Sequence, residues 1–216
     1  AFDIFAEMQL EMDLGKTKGS GQLFKTSLEK SLFSSPAACI KSIEARLKKL
    51  YKKYAADDIK DIRLLEGLKT ALEAITPADF TRYQKLLDLL RSKEYAWNPA
   101  DSGDRVVIFT ERIETMKYLA ERLRQDLGLK ANVIQEISGG MSDAEQQRIV
   151  EDFGRTESPV RVLVASDVAS EGLNLHYLSH RLIHFDIPWS LMVFQQRNGR
   201  IDRYGQQKHP DIRYML

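Results

Sequence analysis

From residue 103 onward, short runs of β-branched and apolar residues alternate with stretches of helical periodicity, and that alternation leaves few folds open. Arg105 to Thr110 (RVVIFT) reads as a strand, after which Ile113, Met116, Leu119, Ala120, Leu123 and Leu127 recur at helical spacing as far as Gly128. Ala131 to Ser138 reads as a second strand, and Ser142-Asp143-Ala144-Glu145 as a capping box opening a helix through Ile149, Val150 and Phe153 to Gly154. Val160 to Ala165, Arg181 to Phe185 and Ile212 to Met215 supply three more strands. Strands joined by helices of this length imply right-handed crossovers and a parallel sheet covered on both faces, an α/β architecture. Ligands of such sheets sit beyond the carboxyl ends of the strands, so the segments after Phe109, Ile137, Ala165 and Phe185 are the places to search.

Before the turn cluster Trp97–Gly103 the texture is helical throughout. Ser35-Pro36 sets a cap before a Pro at the first helical position, and Ile40, Ile43, Leu47, Leu50 and Tyr54 form one apolar stripe. Lys41, Lys48, Lys49, Lys52 and Lys53 fall mostly outside it, which reads as a solvated face rather than a phosphate-binding ridge. Ile62, Leu65, Leu68, Leu72 and Ile75 mark another helix. Thr76-Pro77-Ala78-Asp79 reads as a capping box opening one more, with Phe80, Tyr83, Leu87 and Leu90. Residues 15–21 read as a mobile loop. The expected organisation is a helical linker over 1–100 and an α/β lobe over 101–216. Because the first residues read as mid-helix and the last as an uncapped strand, a fragment of a longer polypeptide is expected.

With 32 Lys and Arg against 31 Asp and Glu, the net charge is +1 and no global field advertises a polyanion, so any such site is local. The single Cys39 excludes an internal disulfide and a paired-thiolate metal site, and favours a reducing compartment. No apolar run approaches the roughly 18 to 20 residues of a membrane helix, so a soluble, cytoplasmic protein with no membrane partner is expected. Three tempting signals fail. Gly15-Lys16-Thr17 lacks the earlier Gly of a phosphate-binding P-loop, since Leu10 stands there, and Gly19 and Gly21 lack the third Gly of a dinucleotide fingerprint. His176, His180 and His184 would align on a helix, but 181–185 reads as a strand, so no metal site is expected.

The most informative stretch is Gln196-Arg197-Asn198-Gly199-Arg200-Ile201-Asp202-Arg203-Tyr204-Gly205-Gln206. On a helix Gln196, Arg200 and Arg203 would point the same way and converge on one polyanion. Spacing alone leaves this and ordinary surface ion pairs equally open. The eleven residues match Q-R-x-G-R-x-x-R-x-G-Q, and the segment resembles the last motif of superfamily 2 helicases in their Swi/Snf-type branch. VVIFTERIETMKYLAERL (106–123), ISGGMSDAEQQRIVEDF (137–153) and VRVLVASDVASEGLNLHYLSHRLIHFDIPWS (160–190) resemble earlier motifs of the second RecA-like lobe, in order. Within that branch the resemblance is to bacterial RapA-like (HepA-like) and phage-defence-type translocases.

That resemblance implies an ATP-dependent double-stranded DNA translocase or helicase whose C-terminal lobe this is. Arg200 and Arg203 would be arginine fingers reaching ATP on the first lobe. Gln196, Gly172 and Asn174 would lie against the nucleotide, although Asn174 stands where many relatives have Asp. Thr110, Ser138, Gly139, Ser166 and Asp167 would hold the nucleic-acid backbone without reading bases, while Glu111 replaces the usual Gln. Neither a Walker A loop nor an Asp-Glu pair after a strand occurs, so Mg²⁺ would be held by an N-terminal RecA-like lobe outside these residues, and this segment alone is expected to be inactive. Implied partners are that lobe, double-stranded DNA, and RNA polymerase or another DNA-bound protein. An RNA-directed helicase lobe and a non-catalytic interaction module that kept the fold are the alternatives.

Overall fold

The computed structural model describes residues 1–10, 20–54, 60–166, 175 and 179–215. The chain divides into two compact units, Ala1–Phe80 and Thr81–Leu216. The first is helical: α1 (Phe2–Glu7), α2 (Ser20–Ser34), α3 (Pro36–Lys53) and α4 (Lys60–Glu73). Ser35 caps α3 as expected, its buried hydroxyl accepting from the Ala38 N–H at 3.1 Å with Pro36 next in line. Leu28, Cys39, Ile43, Leu50, Ile62, Leu65 and Leu68 form the core, so the apolar stripes of α3 and α4 face one another. Burial pushes the Cys39 thiol pKa up to about 12, leaving it a small apolar group. Of the loop read at 15–21, residues 15–19 lie outside the described residues, and Gly21 is already within α2.

The second unit runs α5 (Thr81–Arg91), β1 (Arg105–Thr110), α6 (Ile113–Asp126), β2 (Ile134–Ile137), α7 (Asp143–Gly154), β3 (Val162–Ser166), β4 (Ser179–His184), α8 (Leu191–Asn198) and β5 (Asp211–Tyr214). Its five-stranded sheet has the order β2-β3-β1-β4-β5, and every pairing is parallel, as the alternating pattern requires. One face buries Val107, Phe109, Leu163, Ala165 and Leu182 against Ile149 and Phe153 of α7 and against Ile201. On the other, α6 buries Met116, Leu119 and Leu123, and α5 packs on α6 through Tyr83, whose hydroxyl donates to Asp126 at 2.6 Å. The result is three layers.

Two local readings need correction. Residues 131–133 form a 3₁₀ turn, so the second strand starts only at Ile134. Thr76 does not open a helix. Its N–H and hydroxyl both donate to the Asp79 carboxylate, at 3.0 and 2.6 Å, closing a turn, and α5 begins at Thr81. Ser190 stands at the N-cap of α8 without a side-chain cap bond. The capping box of α7 is complete, with the Ser142 hydroxyl accepting from the Glu145 N–H at 3.4 Å and the Ser142 N–H donating to the Glu145 carboxylate at 2.9 Å.

The turn cluster at 97–103 is fastened to the sheet. Trp97 is buried and donates to the Asp104 carbonyl at 3.1 Å, while Asp104 receives Arg181 of β4 at 2.7 Å. At the start of β1, the Arg105 side chain is fully buried and donates to the carbonyls of Asp152 (3.3 Å), Phe153 and Arg155, where α7 ends. It thereby serves carbonyls that a helix terminus leaves without partners. Burial draws its pKa down to about 10, which still leaves it charged at neutral pH.

Candidate nucleotide and nucleic-acid site

The strand register places several expected contact residues side by side. Thr110 pairs with Ser166 at the carboxyl ends of β1 and β3, and Ile137 pairs with Ala165, which sets Ser138 at the same edge. Ser138 is buried, its carbonyl accepting from Gln146 at 3.3 Å, whereas the next residue, Gly139, is exposed. The Ser166 hydroxyl is buried and has no partner among the described residues. Thr110 is committed within the fold, its hydroxyl donating to Asp186 at 2.7 Å. Asp167, Gly172 and Asn174 lie outside the described residues. Leu175 is described, and its N–H donates to the Arg200 carbonyl at 3.3 Å.

The helical face expected of Gln196, Arg200 and Arg203 does not form. α8 stops at Asn198, and the bonding tightens from Gly199 N–H to Gln195 O (2.9 Å) to Arg200 N–H to Arg197 O and Ile201 N–H to Asn198 O (both 3.1 Å). The cause is tertiary, since Ile201 is drawn into the core and the turn follows it. Gln196 and Arg200 are half-buried as a result, and Arg203 is exposed. Gln206 closes the turn by donating to the carbonyls of Ile201 (3.1 Å) and of Ser179 at the start of β4 (2.9 Å).

Beneath these residues lies a buried polar network that sequence reasoning missed. Arg197 is fully buried over the Phe109 ring, and donates to the Asp186 carbonyl at 2.8 Å and to His184 Nδ1 at 3.3 Å. An arginine can only donate, so Nδ1 accepts, and the His184 proton sits on Nε2, which donates to the Asn198 side-chain oxygen at 2.8 Å. Burial, with Arg197 beside it, pushes the His184 pKa down to about 4. The imidazole is therefore neutral, and it packs against both Phe194 and Tyr214 at centroid distances of 4.8 and 5.1 Å, those two rings being themselves 5.5 Å apart. Asp186 completes the set. Its carboxylate accepts from the Thr110 hydroxyl and the Glu111 N–H, both at 2.7 Å, and pairs with Arg197 at 3.6 Å. Thus one carboxylate joins the end of β1 to the helix that leads into Arg200 and Arg203.

Residues 81–205 match the family described as helicase conserved C-terminal domain, more than half of the chain. The chain belongs to that family. This helicase C-terminal domain is 35% identical over 110 residues to the RNA polymerase-associated protein RapA of Vibrio campbellii, covering 51% of this chain and 11% of that protein. The Vibrio vulnificus protein of the same name is 34% identical over 113 residues, covering 52% and 11%. The chain thus spans about a tenth of the length of these curated relatives. Among solved structures, the C-terminal part of the Fun30 ATPase domain superposes with a TM-score of 0.53 at 17% identity, over 94% of this chain and 74% of that one, a likeness of fold. The helicase C-terminal domain has no long apolar helix able to cross a membrane among its described residues.

Arg197 and Asp186 carried a weak signal in the sequence. An arginine and an aspartate flanking apolar stretches are read as surface residues, because burial of either charge is rare unless the two are paired.

Proposed function

We propose that this helicase C-terminal domain is the second RecA-like lobe of an ATP-dependent double-stranded DNA translocase of Swi/Snf type. The observation that supports this most is the turn after α8. Arg203 is exposed and Arg200 half-exposed, on a backbone fixed by Ile201 in the core and by the Gln206 side chain bonded to the start of β4. Permanently charged guanidiniums on an anchored turn suit the spreading charge of phosphoryl transfer, because little is lost in ordering them. In this reading they reach ATP phosphates as arginine fingers, and Gln196, Gly172 and Asn174 are the remaining nucleotide contacts. Mg²⁺, bound to ATP and held by the first lobe, would neutralise phosphate charge. Ser138, Gly139, Ser166 and Asp167 are the proposed backbone contacts to DNA, with Thr110, its hydroxyl given to Asp186, positioning that edge of the sheet, and residues before the lobe would link it to its partner.

Between Ile187 and Met192, four large apolar side chains are exposed, Trp189, Leu191 and Met192 by 63 to 70%. A run of this kind suits a surface that another domain covers, which supports a partner lobe. The relatives' name carries the further proposal that the intact protein works on RNA polymerase or another DNA-bound protein, in the cytoplasm.

The test is ATP hydrolysis by the full-length protein, with and without duplex DNA, for wild type and Arg203→Ala. Stimulation by DNA, lost by a factor of about 10³ or more in the variant while DNA binding persists, is expected. Stimulation by RNA alone would move the lobe to an RNA-directed helicase. No turnover with any nucleic acid, or turnover indifferent to the substitution, would leave an interaction module.

A further inference from the structure

Lys41, Lys48, Lys49, Lys52 and Lys53 are all exposed on α3. At about 100° per residue they lie within an arc of roughly 140°, opposite the buried stripe of Ile43, Leu47 and Leu50. Six basic residues stand against one acidic residue in this helix, although the whole chain carries only +1. Arg46 is buried over the Phe24 ring at 4.8 Å and does not belong to the exposed set. The one acid, Glu44, is taken by Lys69 of α4 at 3.1 Å. Lys41, Lys48, Lys49 and Lys52 have no carboxylate partner among the described residues, and Lys53 stands over the Tyr54 ring at 5.1 Å.

Such an arrangement is unfavourable for the helix by itself. Lys48 and Lys52, like Lys49 and Lys53, are like-charge neighbours four apart, which weakens a helix. Lys52 and Lys53 gain something from the negative end of the helix, but Lys41, Lys48 and Lys49 stand too far from it. A solvated face needs no such one-signed charge, since acids interspersed with the lysines would serve as well.

We propose that this ridge is a second nucleic-acid site, one that grips the phosphate backbone of a duplex. The inference rests on the translocase reading in that it takes the intact protein to engage nucleic acid. From Lys41 to Lys53 the ridge measures about 18 Å along the helix, enough to face roughly five phosphates of one strand. Ammonium groups on flexible stems hold phosphates as point charges and read no bases, as a protein stepping along any sequence requires.

The experiment is binding of a fluorescent random-sequence duplex to the full-length protein across a salt series. It compares wild type, the K48Q/K49Q/K52Q/K53Q variant and the matching Lys→Arg variant. Removing four contacts is expected to make the slope of log affinity on log salt shallower by about 3 to 4, and to weaken binding at least about tenfold near 0.1 M salt. The arginine variant should keep both. All four positions are exposed, so thermal unfolding serves as the control for folding. An unchanged slope in the glutamine variant overturns the ridge while leaving the translocase reading intact. Wild type that binds no nucleic acid overturns both. Polyglutamate as a second probe covers the other polyanion: loss of its binding with duplex binding unchanged would assign the ridge to an acidic protein and overturn the proposal.

Discussion

Asp186 receives the Thr110 hydroxyl, the Glu111 N–H and the Arg197 guanidinium, so removing Arg197 takes the fully buried cation from a carboxylate that is itself largely buried. Arg197→Met is expected to cost about 3 kcal/mol in urea unfolding, because breaking a buried ion pair is destabilising even where the carboxylate keeps its other hydrogen bonds. His184 gives a pH prediction. Its folded pKa, about 4, lies below the ordinary value of 6.5, so the unfolded chain takes up a proton before the native one does. The stability from the neutral ring is complete above about pH 6.5 and declines as pH falls toward 4, by on the order of 3 kcal/mol. Urea midpoints of wild type and His184→Gln between pH 7 and 4 should show a steeper fall for wild type. Gly199 offers a contrast. A Cβ there would meet Gln195 O at 3.5 Å and Gln196 O at 3.7 Å, ordinary contacts, so the lobe itself tolerates Gly199→Ala. The expected outcome is stability within about 1 kcal/mol of wild type. Any loss of turnover in the full-length protein would then trace to what approaches this glycine from outside the lobe.

At the scale of elements, the local signals are the legible ones. The capping box at Ser142, the Ser35-Pro36 start and the strand RVVIFT are each written in a few adjacent residues, and each stands where it was read. The turn after α8 was not legible, because its course depends on Ile201 reaching a core assembled from β1, β3, β4 and α7. Periodicity carries no record of that pull. Thr76-Asp79 failed for a related reason: the same two side chains can close a turn as well as open a helix. Arg105 shows how far a single side chain can serve an element. Arg105→Leu would leave the carbonyls of Phe153 and Arg155 without that donor at the end of α7. A loss of about 2 to 4 kcal/mol is expected, with hydrogen exchange accelerated first in the last turn of α7.

For the whole molecule, the sheet and its order follow from the alternating pattern, yet the site is only partly legible. Thr110 and Ser166 become neighbours because β1 and β3 pair in register, which no spacing in the sequence states. The expected outcome for the 216-residue chain alone is negligible ATP hydrolysis with or without duplex DNA, measured against the full-length protein at equal concentration. Robust turnover by the chain alone would end the reading of a site shared between lobes.

The strand order carries a consequence for how this lobe comes into being. β1 is the first strand in sequence but the middle one in space, and Val106 must wait for Val162 while Val107 waits for Leu182. A ribosome releases this fully buried strand well before either neighbour exists. With pairings this distant along the chain, refolding should fall nearer the millisecond-to-second range than the microsecond range of helical bundles. During that interval RVVIFT is an unpaired apolar segment, and the yield of refolding is expected to fall as protein concentration rises.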